Sequence, residues 1–186
     1  MDNSFPSDEI IDSGVLQGTF DAVSKVTMRN SIVINIRSQM SSIEKNFDTL
    51  MERAFAETTN IRLREPRTIM GEIYLLPVYE YDDNSMKNNE ISWKDKKLNV
   101  KKFLDTFHGF SDRPRENFQD IYAIYKYDRS TIIFVDFRRN PPTLYESGQQ
   151  LFDDGLIDEE TLEHNYNLFP TNFARDIWEV YKLYHF

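Results

Sequence analysis

The spacing of apolar residues predicts one long amphipathic helix in the N-terminal third of the chain. Over residues 31–57, apolar residues recur at alternating intervals of three and four positions, and mostly polar residues lie between them. This is the heptad pattern of a helix that packs along one face. We expect this helix to lie on the protein's own sheet or against a helix of another chain. The apolar positions are Val33, Ile36, Met40, Ile43, Phe47, Leu50 and Ala54.

Three later segments are rich in β-branched and aromatic residues and predict strands. The first is residues 69–82, where Pro77 indicates an edge strand or a bulge. Residues 118–127 and 131–138 are the other two, and the short polar link between them predicts a β-hairpin. Between the first strand and this hairpin, residues 99–107 predict a short basic helix.

Both ends of the chain differ from this middle. Residues 1–20 show no sustained period of either kind and predict an extended arm. From about residue 146 the chain is acidic and predicts short helices, with Asp158 and Thr171 in capping positions. Strands between helical blocks, without regular βαβ alternation, indicate the α+β class. We therefore predict a single α+β domain over residues 21–186, in which a long N-terminal amphipathic helix packs on a small antiparallel or mixed sheet containing a β-hairpin, with short C-terminal helices.

Composition limits the class of protein. A chain of 186 residues with 40% hydrophobic residues is long enough for one domain with a core. Its apolar runs are shorter than the roughly 18 residues of a membrane span, and its start lacks the features of a signal peptide. We expect a protein of the cytoplasm or of a viral particle, without membrane contact. The absence of cysteine excludes disulfides and thiolate metal sites.

The net charge of −9 is unevenly distributed along the chain. Residues 1–28 carry −4, residues 29–145 carry +2 and residues 146–186 carry −7. An acidic chain disfavours nucleic acid as a partner and favours a basic one. Acidic ends around a slightly basic middle also promote contacts between copies of the chain.

The sequence lacks the common motifs of catalysis and cofactor binding. It contains no GxxxxGK[ST] or GxGxxG phosphate-binding loop and no GxSxG elbow. The histidines, His108, His164 and His185, lack the spacing of a metal site. We therefore expect no catalytic residue, no metal site and no cofactor.

Carboxylates on and near the predicted strands suggest an enzymatic alternative. The order of a helix followed by strands resembles that of restriction-endonuclease-like nucleases, which implies metal-dependent phosphodiester chemistry. The chain departs from that family because no Glu-x-Lys triplet lies on a predicted strand. The candidate metal ligands are Glu44, Glu80, Asp82, Asp120 and Asp136.

A second alternative is an acidic inhibitor of a basic nuclease or DNA-binding protein. Such an inhibitor would present carboxylates in place of phosphates. It requires one exposed face formed by Asp153, Asp154, Asp158, Glu159, Glu160 and Glu163.

The patterns favour a non-enzymatic structural or interaction subunit that assembles with other protein chains in a larger complex. The apolar side chains of the acidic arm, the heptad helix and an aromatic C-terminus support this prediction together. A virion or mobile-element assembly is one context that fits, and we expect an oligomer. The predicted interaction residues are Ile10, Ile11, Val15, Leu16, Phe20, Ile36, Met40, Ile43, Phe47, Trp178, Tyr181, Tyr184 and Phe186.

Overall fold

A computed structural model describes residues 9–12, 14–114 and 123–185. Its strands are β1 (Ile32–Ser38), β2 (Ile69–Pro77), β3 (Tyr79–Tyr81), β4 (Trp93–Lys97), β5 (Arg129–Asp136) and β6 (Thr143–Tyr145). Its helices are α1 (Lys25–Arg29), α2 (Phe47–Arg64), α3 (Asp83–Lys87), α4 (Val100–Phe110), α5 (Gly148–Asp153), α6 (Glu159–His164) and α7 (Pro170–His185).

Within these residues, the main sheet has the strand order β1-β2-β5-β6. Strands β1, β2 and β5 run parallel, and β6 runs antiparallel to β5. Strands β3 and β4 form a separate antiparallel pair. The prediction of a mixed sheet combined with helices is therefore confirmed, as are the basic helix α4 and the short helices of the C-terminal part.

The prediction of one long helix over residues 31–57 is wrong. Residues 32–38 form β1, and α2 begins only after a loop in which Ser42 has a positive φ of 51°. The β-branched residues Ile32, Ile34 and Ile36 alternate with period two, which favours a strand. This local preference outweighs the heptad spacing, which happens to continue across the loop.

An antiparallel pair of consecutive strands is present in β5 and β6, but the position predicted for the hairpin, residues 118–127 with 131–138, is wrong. Its second run is strand β5, but residues 123–127 form turn and coil in place of a first strand, and residues 118–122 lie outside the described residues. Backbone carbonyls in this segment accept hydrogen bonds from side chains of α2. Thr58 Oγ1, for example, donates to Tyr125 O at 2.8 Å. Because α2 uses these carbonyl groups, β5 pairs instead with β2 and β6.

Two local expectations also need correction. Pro77 marks neither an edge nor a bulge, because it is the last residue of β2, which lies between β1 and β5. Residues 9–12 and 14–21 fold back rather than extending as an arm, since Ile10 pairs with Phe20 in an antiparallel bridge. Gly14 supplies a positive φ of 81° at the turn. Residues 1–8 and 13 lie outside the described residues.

Helices α2 and α4 cover one face of the sheet. On this face β2 presents Met70, Tyr74 and Leu76, which belong to a large buried cluster. Side chains such as Leu50 of α2 and Phe103 of α4 complete this cluster. The main core of the protein therefore lies between the sheet and these two helices.

Helix α7 covers part of the opposite face. Its residues Phe173, Ile177 and Val180 form a second buried cluster with Ile69 at the start of β2. A Cβ atom at Gly71 would lie 2.6 Å from Ile177 Cδ1 and 2.8 Å from Phe173 Cζ. The glycine thus allows α7 to approach the first half of the strand closely.

A buried ion pair joins α2 to the sheet. The guanidinium of Arg62, fully buried, donates from Nη2 to Asp128 Oδ2 at 2.7 Å and from Nη1 to the carbonyl oxygens of Ile124 and Lys126. The same Asp128 oxygen accepts the Met70 backbone N–H at 2.7 Å. Burial lowers the pKa of Arg62 to about 10 although Asp128 opposes this shift. At neutral pH the guanidinium is therefore charged, and its contacts with Asp128 and the two carbonyls tie together α2, β2 and the segment that leads into β5.

We predict that Arg62→Met lowers the free energy of unfolding by about 3–5 kcal/mol, because it leaves the Asp128 carboxylate buried without its cation. Denaturant unfolding measures this change. Lys96→Met is the matched control, since the Lys96 side chain is 76% exposed beside Glu44; it should cost less than about 1 kcal/mol. Equal losses in the two variants would contradict a structural role for the buried pair.

Candidate interaction surface

The sheet face on which α7 packs also carries exposed apolar side chains, in the part that α7 leaves uncovered. Paired residues of neighbouring strands point to the same face, and the register pairs Ile34 with Gly71, Leu75 with Ile133 and Val135 with Leu144. Among the described residues, five apolar side chains of this region are exposed or half-buried and lie outside both buried clusters. We call this set the sheet-face patch; it consists of Ile34, Ile36, Leu75, Ile133 and Leu144.

The patch crosses all the strands of the main sheet. Ile36 is 75% exposed on β1, Leu144 is 46% exposed on β6, and Leu75 and Ile133 are half-buried on the strands between them. Neighbouring strands lie about 4.8 Å apart, so these side chains form one continuous surface. The surface remains open because α7 packs over β5, the first half of β2 and Ile32 at the start of β1, whereas these five side chains lie outside its cluster.

Strand β1 forms one edge of this surface. It pairs with β2 on its inner side, and the described part of the chain places no strand on its outer side. Edge strands are commonly protected by Lys, Pro or a bulge, but β1 contains neither residue and pairs in a continuous register. Its charged residue, Arg37, pairs with Glu57 of α2. Within residues 9–12, 14–114 and 123–185, the outer edge of β1 therefore presents backbone groups without a strand partner.

A polar cluster lies beneath β1, on the face that α2 covers. Asn35 Nδ2 donates to Glu57 Oε2 at 2.8 Å and to the Tyr127 hydroxyl at 3.1 Å. Arg37 contacts Glu57, and its Nε lies 3.4 Å from Oε1 of Glu72. The cluster borders a polar cleft of about 570 Å³ between β1 and α2. These contacts lie between β1 and α2 and hold the strand against the helix.

Glu72 is the buried acid of this cluster. Its side chain is 1% exposed, and burial raises its pKa to about 7 although Arg37 favours the charged form. Burial likewise raises the pKa of Tyr127, with a further contribution from Glu72. Glu72 can therefore gain or lose a proton near neutral pH, at a buried position behind the Arg37 and Glu57 side chains that line the cleft.

The interaction residues predicted in the N-terminal segment are largely exposed. Ile10, Val15, Leu16 and Phe20 are exposed on the folded-back turn, and Ile11 is half-buried there. They lie on a different part of the chain from the sheet-face patch. Four of them are exposed apolar residues in addition to those of the sheet-face patch.

The interaction residues predicted on the heptad helix lie in different parts of the fold. Ile36 lies in the sheet-face patch, and Met40 is half-buried in the loop after β1. Ile43 is fully buried in the main core, and Phe47 packs against it with its ring 5.3 Å from that of Phe103. Of these residues, only Ile36 remains available to a partner.

The aromatic C-terminus is mostly used within the protein. Tyr181 and Tyr184 pack against the second buried cluster, and the Tyr181 hydroxyl donates to Asn30 O at 3.2 Å. Trp178 is 48% exposed and stacks on Tyr181 at 5.2 Å. Phe186 lies outside the described residues. These contacts dock α7 on its own sheet and leave Trp178 as its exposed aromatic residue.

The carboxylates of the nuclease alternative have separate partners. Glu80 accepts the backbone N–H groups of Ile43 and Glu44 and the Lys94 ammonium at 2.5 Å. Glu44 and Glu80 line one cleft beside β4, and Glu44 contacts Lys96 there. Asp82 caps α3, Asp136 pairs with Arg139 and Asp120 lies outside the described residues. Across the residues that the structure describes, no group of three or more His, Asp or Glu side chains is arranged to hold a metal ion.

The acids of the inhibitor alternative are all exposed on α5, α6 and the link between them. Three of them have internal partners. Asp154 contacts Arg139 at 2.7 Å and accepts the Tyr145 hydroxyl at 2.6 Å, while Asp158 caps α6. Asp153 accepts the Gln149 side-chain amide at 2.8 Å. Glu159, Glu160 and Glu163 remain exposed carboxylates, and the inhibitor stays a hypothesis.

Sequence spacing missed two arrangements that the fold creates. His108 and His164 are distant in sequence, but their rings stack with centroids 4.1 Å apart. Burial lowers the pKa of His108, and His164 adds to this effect. The polar cluster around Glu72 was missed for the same reason, since its members come from β1, α2, β2 and the segment before β5. A strand assignment for residues 32–38 would have been the signal that exposes both the cluster and the edge.

Comparison of the chain with protein-family models, curated proteins and solved structures gives no match. Among the helices of the described residues, none combines the length and the apolar character needed to span a bilayer.

We predict that Glu72→Gln makes folding stability less sensitive to pH. Because the pKa of Glu72 rises from 4.5 to about 7 on folding, only the unfolded chain loses this proton between these pH values. Stability of the wild type should therefore fall as pH rises through this window, by roughly 2–3 kcal/mol from this residue. Denaturant unfolding from pH 5 to pH 8 measures this slope.

The Glu72→Gln variant should gain stability relative to the wild type as pH rises. The free energy of unfolding of the variant minus that of the wild type should therefore be largest at pH 8. Glu159→Gln, at an exposed position on α6, controls for the loss of one negative charge. Parallel stability curves for the wild type and Glu72→Gln would contradict the raised pKa.

Proposed function

We propose that this protein is a non-enzymatic interaction subunit that assembles with other protein chains through the sheet-face patch. The supporting observation is the unequal covering of the sheet. One face is packed by α2 and α4, whereas α7 packs against only the first half of the other face. The second half keeps Ile34, Ile36 and Leu144 exposed at 41%, 75% and 46%.

Burial of this patch would provide the driving force for association. Removing apolar surface from water stabilises a complex by roughly 25 cal/mol per Å². Contiguous exposed apolar surface is uncommon on proteins that act alone, and it commonly marks a site of contact with another protein. The patch lies on strands whose backbone is fixed by the sheet, so a partner would meet a preformed surface and little ordering would be needed.

A protein partner fits this surface better than a nucleic acid does. The five side chains of the patch are all aliphatic, so they provide neither the cations that contact phosphates nor the aromatic rings on which bases stack. The chain as a whole has a net charge of −9, which repels a polyanion. An apolar surface of another chain is therefore the complementary partner.

We predict that Ile36→Lys and Leu144→Lys each remove partner chains that associate with the wild type in the cells that naturally produce it. A lysine at either position places a charge on the apolar surface, and burying that charge would oppose association. Affinity purification of tagged wild type and variants, with quantitative mass spectrometry, measures the loss for each associated chain.

Ile91→Lys is the matched control for Ile36→Lys. Ile91 is 82% exposed and lies between α3 and β4, away from the patch, so the same substitution should leave the associated chains unchanged. Far-ultraviolet circular dichroism and thermal unfolding establish that all the variants are folded. Recovery of the same chains in the same amounts by the wild type and both patch variants would refute the proposed function.

A further inference from the structure

The backbone of β1 presents its free hydrogen-bonding groups at defined positions. Gln39 N donates to Leu75 O at 3.2 Å, and the register places Ser38 beside Leu75. In a parallel pair, alternate residues direct their backbone groups to the same neighbouring strand. The odd-numbered residues of β1 therefore bond to β2. The even-numbered residues direct their N–H and C=O groups outward; they are Ile32, Ile34, Ile36 and Ser38.

Three of these four residues, Ile32, Ile34 and Ile36, carry apolar side chains on the face that α7 partly covers. Ile32 packs beside α7, and Ile34 and Ile36 belong to the sheet-face patch. A strand added at this edge would therefore bond to residues whose side chains need an apolar neighbour. The added strand must place aliphatic side chains on the patch face and polar ones on the opposite face. Strand β1 itself has most of this pattern, with Ile32, Ile34 and Ile36 on the patch face and Asn35 and Arg37 on the opposite face.

We infer that two copies of this chain pair through β1 in antiparallel orientation, around a two-fold axis at Asn35. This inference rests on the proposed function, because it names a second copy as the partner at the β1 end of the patch. The pairing would join two main sheets into one continuous sheet. The contact is isologous, as in most protein dimers, because each strand offers the partner the same surface.

The register follows from the sequence of β1. A two-fold axis normal to the sheet keeps the apolar faces of both copies on one side, so residues of equal parity must oppose each other. Centring the pair on Asn35, the middle residue of the strand, matches all of β1 with all of its copy. Ile34 then opposes Ile36 of the second copy, and Val33 opposes Arg37. A shift that centres the pair on Arg37 would instead oppose two like charges.

Hydrogen bonding agrees with this register. Opposed pairs such as Ile34 and Ile36 have their backbone groups directed outward, so each pair can exchange both bonds of an antiparallel ladder. Asn35 has its own backbone groups bonded to β2, which makes the central pair of the ladder a non-hydrogen-bonded one. In such pairs the two Cα atoms lie about 4.5 Å apart. That separation is within the range that a disulfide spans.

A disulfide test uses the absence of native cysteine. We expect Asn35→Cys to form a covalent dimer under mild oxidation, with a yield at least about tenfold above that of Val33→Cys, because only position 35 opposes itself. Two Val33 residues would lie roughly 13 Å apart along the ladder. Non-reducing electrophoresis of the full chain measures both yields. Equal yields at the two positions would overturn the pairing.

Sedimentation equilibrium provides a second test that leaves Asn35 intact. The wild type should approach twice its monomer mass of 22.1 kDa as concentration rises. Ile34→Pro removes an outward N–H and spares the bonds to β2, so it should shift the association to at least about tenfold higher concentration. Thermal unfolding confirms that this variant is folded. A wild type that remains a monomer at every concentration would overturn the inference.

Leu144→Lys separates this inference from the proposed function. Leu144 lies on β6, at the opposite edge of the main sheet from β1. The variant should therefore dimerise like the wild type while losing the partner chains that bind across the patch. A monomeric wild type whose partner chains are still lost in Leu144→Lys would reject the dimer and retain the proposed function. A dimeric wild type whose partner chains are unchanged in Ile36→Lys and Leu144→Lys would retain the dimer and reject the proposed function.

Discussion

The pairing of Arg62 with Asp128 fixes the relation between the helical layer and the sheet. One guanidinium bonds a carboxylate and two backbone carbonyls, and that carboxylate also holds the N–H of Met70. Burying an unpaired charge is costly, so the residues around this pair have few alternative arrangements. The pair sets where α2 lies, which backbone groups remain for strand pairing, and where the segment before β5 runs.

The two faces of the sheet differ because the helices that cover them differ. Helices α2 and α4 fill one face with a continuous core, and a single helix, α7, crosses the start of the other. The close approach at Gly71 fixes α7 at that end of β2. The open half of the sheet is thus a consequence of how α7 docks, and the sheet-face patch occupies a rigid part of the fold.

Elements of this fold are predictable from the sequence where their local signals agree with their tertiary contacts. The cap of α6 at Asp158 and the amphipathic α4 were predicted, because capping and spacing act locally. Strand β1 was missed because its apolar positions also fit a heptad that continued into α2. Residues 123–127 do not form the first strand of the predicted hairpin because Arg62, a charged residue on a helix, bonds the carbonyls that such a strand would use. No local pattern reports such a contact, and the same is true of the cluster around Glu72.

The alternation along β1 assigns the stability of the fold and the contacts with other chains to different residues of one strand. Its odd-numbered residues bond to β2 and hold the polar cluster, while its even-numbered residues present both the free backbone groups and the exposed side chains. Substitutions at even positions can alter solubility and self-recognition with little effect on the fold, and substitutions at odd positions act on folding. The strand therefore allows natural variation to change the assembly state of this protein independently of its architecture.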